Sequence, residues 1–291
     1  MPSFPIIDTH LHVWDQTRLN YSAFDGHPLY GHPYHVEDYQ KDCGTLDIEA
    51  MVFLECYCDF SPTGGQYIEE IEFVEDEAKR DPRLRAIIPM APLEWGSRVE
   101  PMLQRMRDNH PTVKGIRRIV EFDANPRALT LSPDFITGVN LLDKFGWHFE
   151  INVNHTQMDI VHDFVPQIST PMILDHCGKP GIKEGALAQY RADVAALSKH
   201  KNLWIKLSDL PIEAAENWTE ADLFPYIAAT LETFGPERTI FAGDYPICLA
   251  ATTMTGWVDL LDRAFADLGL SDSETRAIYR DNANRFYRLG L

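Results

Sequence analysis

The chain has 291 residues, 45% of them hydrophobic and 11% aromatic, with a formal net charge of −18 at pH 7. That length and apolar content support a large core and fall within the usual range of one α/β barrel. So much acid repels nucleic acid and anionic membrane surfaces at long range, so neither is expected as a partner and a small molecule is favoured.

In chain order, the first predicted strand is Ile6–Val13, inside the segment PIIDTHLHVWD. Strand alternation would place Asp8, His10 and His12 on one face, His10 and His12 about 6.6 Å apart along the chain. Such a row implies a metal ion, a proton-transfer site or a hydrogen-bonded core network. Trp14–Tyr39 follows, with one Trp, four Tyr, three His and little periodicity, and is expected to be a long loop forming a pocket wall. Further strands are predicted at Ala50–Cys56, Leu84–Met90, Val113–Val120, Trp147–Val153, Pro171–His176, Leu203–Leu207 and Thr239–Ala242. Between them, amphipathic patterns predict helices at Tyr67–Arg80, Val99–Asn109, Phe135–Phe145, Leu187–His200 and Ala221–Phe234. In the tail, Ser271–Leu291, the run SDSE is a capped helix start, so a C-terminal helical extension should pack against the rest.

Eight strands alternating with helices imply parallel pairing and a closed (β/α)8 TIM barrel. No linker, low-complexity tract or repeat divides the chain, so one domain over residues 1–291 is expected. Five cysteines without framework spacing, and a start lacking a leader pattern, predict a cytoplasmic protein. The oligomeric state stays open, a homo-oligomer included.

Loops at the carboxyl ends of barrel strands converge, which singles out polar residues that end apolar runs. These are His10 and His12 on the first strand, Asp175 and His176 on the sixth, and Asp244 after the eighth. Three imidazoles and a carboxylate suit one divalent cation with an open position for water. The same groups can also work without metal, Asp244 taking a proton from water while the histidines polarise a carbonyl. Cys56 and Cys58 lack the second pair of a zinc site, and Cys177 is read as a buried strand-end thiol. G-x-S-x-G, P-loop and G-x-G-x-x-G motifs do not occur, which argues against serine hydrolases, nucleotide hydrolases and Rossmann dehydrogenases.

HLHVWD, ILDHCGKP and FAGDYPIC resemble the amidohydrolase superfamily, specifically its amidohydrolase 2 branch of sugar-acid lactonases and 2-pyrone-4,6-dicarboxylate lactonases. VFLECYCDF, RAIIPMAPLE and VKGIRRIV extend the resemblance through nearly the whole chain. It implies that Asp244 activates the hydrolytic water, with His176 beside it in the chemistry. It implies that His10, His12, His176 and Asp244 hold one divalent metal, zinc or manganese, or line the substrate carbonyl in a metal-free mechanism. Glu55 is a further candidate ligand or pocket acid, the alternative being a buried carboxylate paired with arginine. Arg117 would contact substrate while Arg118 points away, and Trp14, Asn152 and Tyr245 would also touch substrate. Tyr245 stands where the branch carries a tryptophan. Lys114 lies at the wrong end of the fourth strand to bridge two metals, so a binuclear centre is not expected.

The implied reaction is hydrolysis of a small-molecule lactone. Tyr21, Tyr30, Tyr34, Trp14, Asn152 and Asn154 suit sugar hydroxyls, whereas a dicarboxylate would call for more arginines than Arg117 and Arg18. A sugar-acid lactone such as L-fuconolactone or L-rhamnonolactone is therefore expected. The rivals are a 2-pyrone-4,6-dicarboxylate lactonase, a metal-dependent decarboxylase of the same branch, and a barrel that only binds a ligand.

Overall fold

The computed structural model describes residues 2–59 and 65–291. Its strands are β1 (Ile6–Leu11), β2 (Ile48–Leu54), β3 (Leu84–Ile88), β4 (Gly115–Arg117), β5 (His148–Ile151), β6 (Met172–Leu174), β7 (Leu203–Leu207) and β8 (Thr239–Phe241). All ladders are parallel, running β1-β2-β3 and β4-β5-β6-β7-β8. Single parallel bridges close the ring: Ile87 with Val113 and Met90 with Arg117 join β3 to β4, and Leu11 with Tyr245 joins the end of β8 to β1. The expected (β/α)8 barrel is therefore present.

Its strands are apolar because both faces are covered, the outer by helices and the inner by the barrel's own contents. Ile7, Ala50, Val52, Leu54, Ala86, Ile88, Ile173 and Ile240 form an inner cluster, closed by Ala283, Phe286 and Tyr287 of the terminal helix Asn282–Tyr287. The C-terminal extension thus plugs the barrel rather than merely resting on it. Its start carries the expected capping box between Ser271 and Glu274. The other predicted helices match Gly65–Arg80, Glu100–Asn109, Pro133–Leu141, Leu187–Leu197 and Glu220–Phe234 within a few residues. The long loop after β1 packs largely upon itself, Trp14 stacking on Phe24 and leaning on Tyr34.

One expectation about β1 fails. Asp8 is opposite Met51 and Leu11 opposite Phe53, so three steps on β1 match two on β2, which is a β-bulge. The extra residue breaks the alternation that would put Asp8 on the face of His10 and His12. The Asp8 carboxylate instead accepts from Tyr39 Oη (2.9 Å), the Gly243 amide (2.7 Å) and the His10 amide (3.1 Å). Gly243 permits this approach, since a Cβ there would lie 2.5 Å from Asp8 Oδ2. Asp8 is thus a staple between β1 and the end of β8.

Candidate active site

Polar side chains collect at the carboxyl end of the barrel, where the backbone is also unusual. Among the described residues seven non-glycines have positive φ, and six of them, Tyr57, His176, Cys177, Lys179, Asp209 and Asp244, follow β2, β6, β7 and β8 on this face. Such conformations cost about 1–3 kcal/mol each and gather where geometry serves a site.

His10, His12, His176 and Asp244, expected to converge, do so, and all four are buried. His10 Nε2 lies 3.1 Å from His12 Nε2, and both lie 3.4 Å from Asp244 Oδ1. His10, His176 and Asp244 offer ligand atoms all within 4.8 Å of one another. The His12 Nδ1 proton donates to the Leu54 carbonyl (2.9 Å), because a carbonyl can only accept; neutral His12 therefore presents its Nε2 lone pair to Asp244. His176 is anchored at Nδ1 by Ser208 Oγ, 2.9 Å away. Donors about 2.0–2.1 Å from a tetrahedral ion stand about 3.3 Å apart, so the His10, His12 and Asp244 triangle has the edge lengths of one coordination face. Three donors at a time, His10 and Asp244 with either His12 or His176, are close enough to share a single divalent ion. His10 is its most constrained member, since Arg117 Nη1 lies 3.1 Å from its Nε2 and Lys206 Nζ 3.3 Å from its Nδ1.

Burial dominates the electrostatics. It holds His10 and His176 well below the usual histidine range and His12 down to about 3, with nearby Lys206, Lys179 and Arg117 reinforcing the effect respectively. The imidazoles are thus neutral, as metal ligands must be. Burial pushes Asp244 up to about 7, while a hydrogen bond from Asp209 and the field of Lys179 pull the other way. Asp209 itself is raised well above the usual carboxylate range by burial and by Asp244. Two carboxyls in contact share a proton rather than both ionise.

Several sequence-based assignments are corrected. Arg117 does face inward, but it is only 2% exposed and its guanidinium is committed to the protein: Nε to Glu55 Oε1 (3.1 Å) and Nη1 to Asp175 Oδ2 (3.2 Å). Glu55 is accordingly the arginine-paired carboxylate of the two readings offered for it. Trp14 is fully buried and donates from Nε1 to the His32 carbonyl (2.9 Å), which ties its own loop together. Tyr245 is also fully buried; its hydroxyl donates to Asp42 (2.9 Å) and its ring meets Tyr34 and Tyr39, away from the histidines. Asn154 caps the short helical turn His155–Gln157. Asn152 is buried with Oδ1 lacking a partner, which leaves it an acceptor to spare.

Sequence reasoning missed Lys206 and Asp209. Lys206 Nζ is bonded to Glu150 and lies 3.1 Å from Asp175 Oδ1, all three fully buried. Glu150 also accepts from Tyr287 Oη (2.9 Å). The available signals were a lysine inside the apolar run LWIKL and the Ser208–Asp209 pair ending that strand.

Comparison with known proteins is consistent with this geometry. A family model described as amidohydrolase matches residues 7–289. An L-rhamnono-gamma-lactonase of Scheffersomyces stipitis is 25% identical over 343 residues, spanning 99% of this chain and 100% of that protein. An L-fucono-1,5-lactonase of Burkholderia multivorans is 28% identical over 235 residues, 76% of this chain and 77% of the relative. A crystal structure of an amidohydrolase from Burkholderia multivorans with bound zinc superposes with a TM-score of 0.85 at 24% identity, covering 98% of this chain and 99% of that one.

Proposed function

This chain belongs to the amidohydrolase family, and from that premise we propose that it is a lactonase opening a neutral sugar-acid lactone, with L-fuconolactone and L-rhamnonolactone as the leading substrates. The lactonase names of the two relatives support the reaction class. The observation that carries the substrate choice is charge pairing. Around the site Arg117 is matched by Glu55 and Asp175, Lys206 by Glu150 and Asp175, Lys179 by Glu121 and Arg118 by Glu94. These four cations are each engaged by protein carboxylates and so are not free to meet the carboxylates of a pyrone dicarboxylate, whereas a neutral lactone needs none.

Asp244 serves as the base. A carboxylate whose pKa sits near 7 combines a useful ionised fraction with enough basicity to accept a proton from water. The water oxygen bonds to the ring carbonyl carbon, the carbon–ring-oxygen bond breaks, and the proton held on Asp244 passes to the departing alkoxide. His176, anchored at Nδ1 by Ser208, is the imidazole whose Nε2 can donate to the carbonyl oxygen, while His12, its Nδ1 proton given to Leu54, offers a lone pair to the attacking water. Zinc or manganese held by His10, His12, His176 and Asp244 would add Lewis-acid polarisation of the carbonyl when bound.

The test measures acid release from a lactone panel and carbon dioxide release from unsaturated acids, with the protein analysed for metal and assayed after chelation and after zinc or manganese is restored. Hydrolysis of either deoxysugar lactone, without turnover of 2-pyrone-4,6-dicarboxylate and without carbon dioxide, is expected. Carbon dioxide release in place of hydrolysis would move the chain to the decarboxylases.

A further inference from the structure

At the amino-terminal end of the barrel, opposite Asp244, a cavity of about 400 Å³ is lined by Arg107, Pro111, Val113, Lys114, Phe145, Gly146, Trp147 and Arg288. Lys114 directly precedes β4, Trp147 directly precedes β5, and Arg288 directly follows the terminal helix. Three cations therefore line one recess with no Asp or Glu among its walls, in a chain whose formal net charge is −18. None of the three pairs with a carboxylate among the described residues. Their hydrogen bonds go to carbonyls instead: Arg107 to Phe145, Lys114 to Pro111 (3.0 Å) and Arg288 to Lys114 (2.7 Å).

Like charges brought together without a counterion oppose one another. Burial, Arg288 and Arg107 lower the Lys114 pKa, and burial and Arg107 lower that of Arg288. An anion in the recess would relieve this repulsion, and each guanidinium keeps N–H donors beyond the one given to a carbonyl. The remaining wall is apolar and aromatic: the Phe145 and Trp147 rings stack with centroids 5.2 Å apart. A volume of this size accommodates a small organic molecule as well as a bare ion.

We propose that this recess binds a tetrahedral oxyanion of the phosphate type, free or as the ester group of a small molecule, through Arg107, Lys114 and Arg288. It is a second ligand site, separated from the lactone site by the length of the barrel and independent of the reaction assigned there. Lys114, misplaced for a metal centre, acquires a role here.

Calorimetric titration at constant ionic strength tests it, with inorganic phosphate in one arm and glucose 6-phosphate in the other. One saturable site is expected, tighter for the ester if the aromatic wall holds the organic part and equal for both if the site takes the anion alone. The Arg107→Gln, Arg288→Gln double variant should bind at least about tenfold more weakly, and Arg107→Lys within about threefold of the parent, as expected where charge dominates. Lys114→Gln, which leaves both arginine hydrogen bonds in place, should show the same loss should the double variant unfold by circular dichroism. Absence of saturable binding in both arms, or undiminished binding by the folded charge-removing variants, would overturn the proposal.

Discussion

Lys206 explains how one barrel interior tolerates Glu55, Glu150, Asp175 and Asp244 together: with Arg117 it supplies the buried positive charge that the carboxyls require. Replacing it with methionine should cost about 3–5 kcal/mol, because Glu150 would be left buried without its cation and Asp175 would keep Arg117 alone, and a fall in melting temperature reads this directly. Asp244→Asn keeps size and shape but cannot accept the water proton. The expected loss in kcat is about 10²–10⁴-fold with the melting temperature nearly unchanged. A raised pKa means that Asp244 still holds its proton at pH values where an ordinary carboxyl has lost it, so kcat/KM of the metal-free protein should fall as pH drops through about 7. The hydrogen bond from Asp209 favours ionised Asp244. Asp209→Ala, which removes that bond, should therefore move the limb to higher pH. Asp209→Asn, whose amide can still donate, should leave it in place.

At the level of the elements, the terminal helix both closes the barrel and reaches the site's foundations, through Phe286 and Tyr287 in the inner cluster and the Tyr287 hydroxyl on Glu150. Phe286→Ala should destabilise by about 3–5 kcal/mol as a large-to-small change in a packed interior, checked by denaturant unfolding. The plug was only half legible in the sequence. The SDSE capping box announces a helix start by local chemistry, but nothing local says which face of Phe286 or Tyr287 meets the barrel. The eight strands were readable because burial on both faces makes them continuous apolar runs, and His10, His12, His176 and Asp244 because they end such runs. Strand alternation predicts Asp8 on the face of His10 and His12, yet the bulge in β1 turns it to the other face, and no local pattern announces a bulge. Lys206 was overlooked because its partners, Glu150 on β5 and Asp175 after β6, are brought to it only when the cylinder closes.

On the scale of the whole molecule, charge distinguishes substrate from product. A neutral lactone feels little of a field generated by a formal charge of −18, but ring opening creates a carboxylate inside a mouth that already carries the charge left to the Asp244–Asp209 pair, together with Glu121 and Glu213. Lys179, the cation of this group, is bonded to Glu121 and does not neutralise the rest. Product should therefore leave readily and compete weakly. Screening lengths shrink from about 30 Å at 0.01 M to about 8 Å at 0.15 M, so added salt weakens the repulsion of the product far more than it alters contacts with the uncharged substrate. Competitive inhibition by the hydroxy-acid product should strengthen as ionic strength rises over this range, while KM for the lactone stays constant within error. A product inhibition constant that rises with salt would mean that an unpaired cation grips the carboxylate, which would undo the charge argument for a neutral substrate as well.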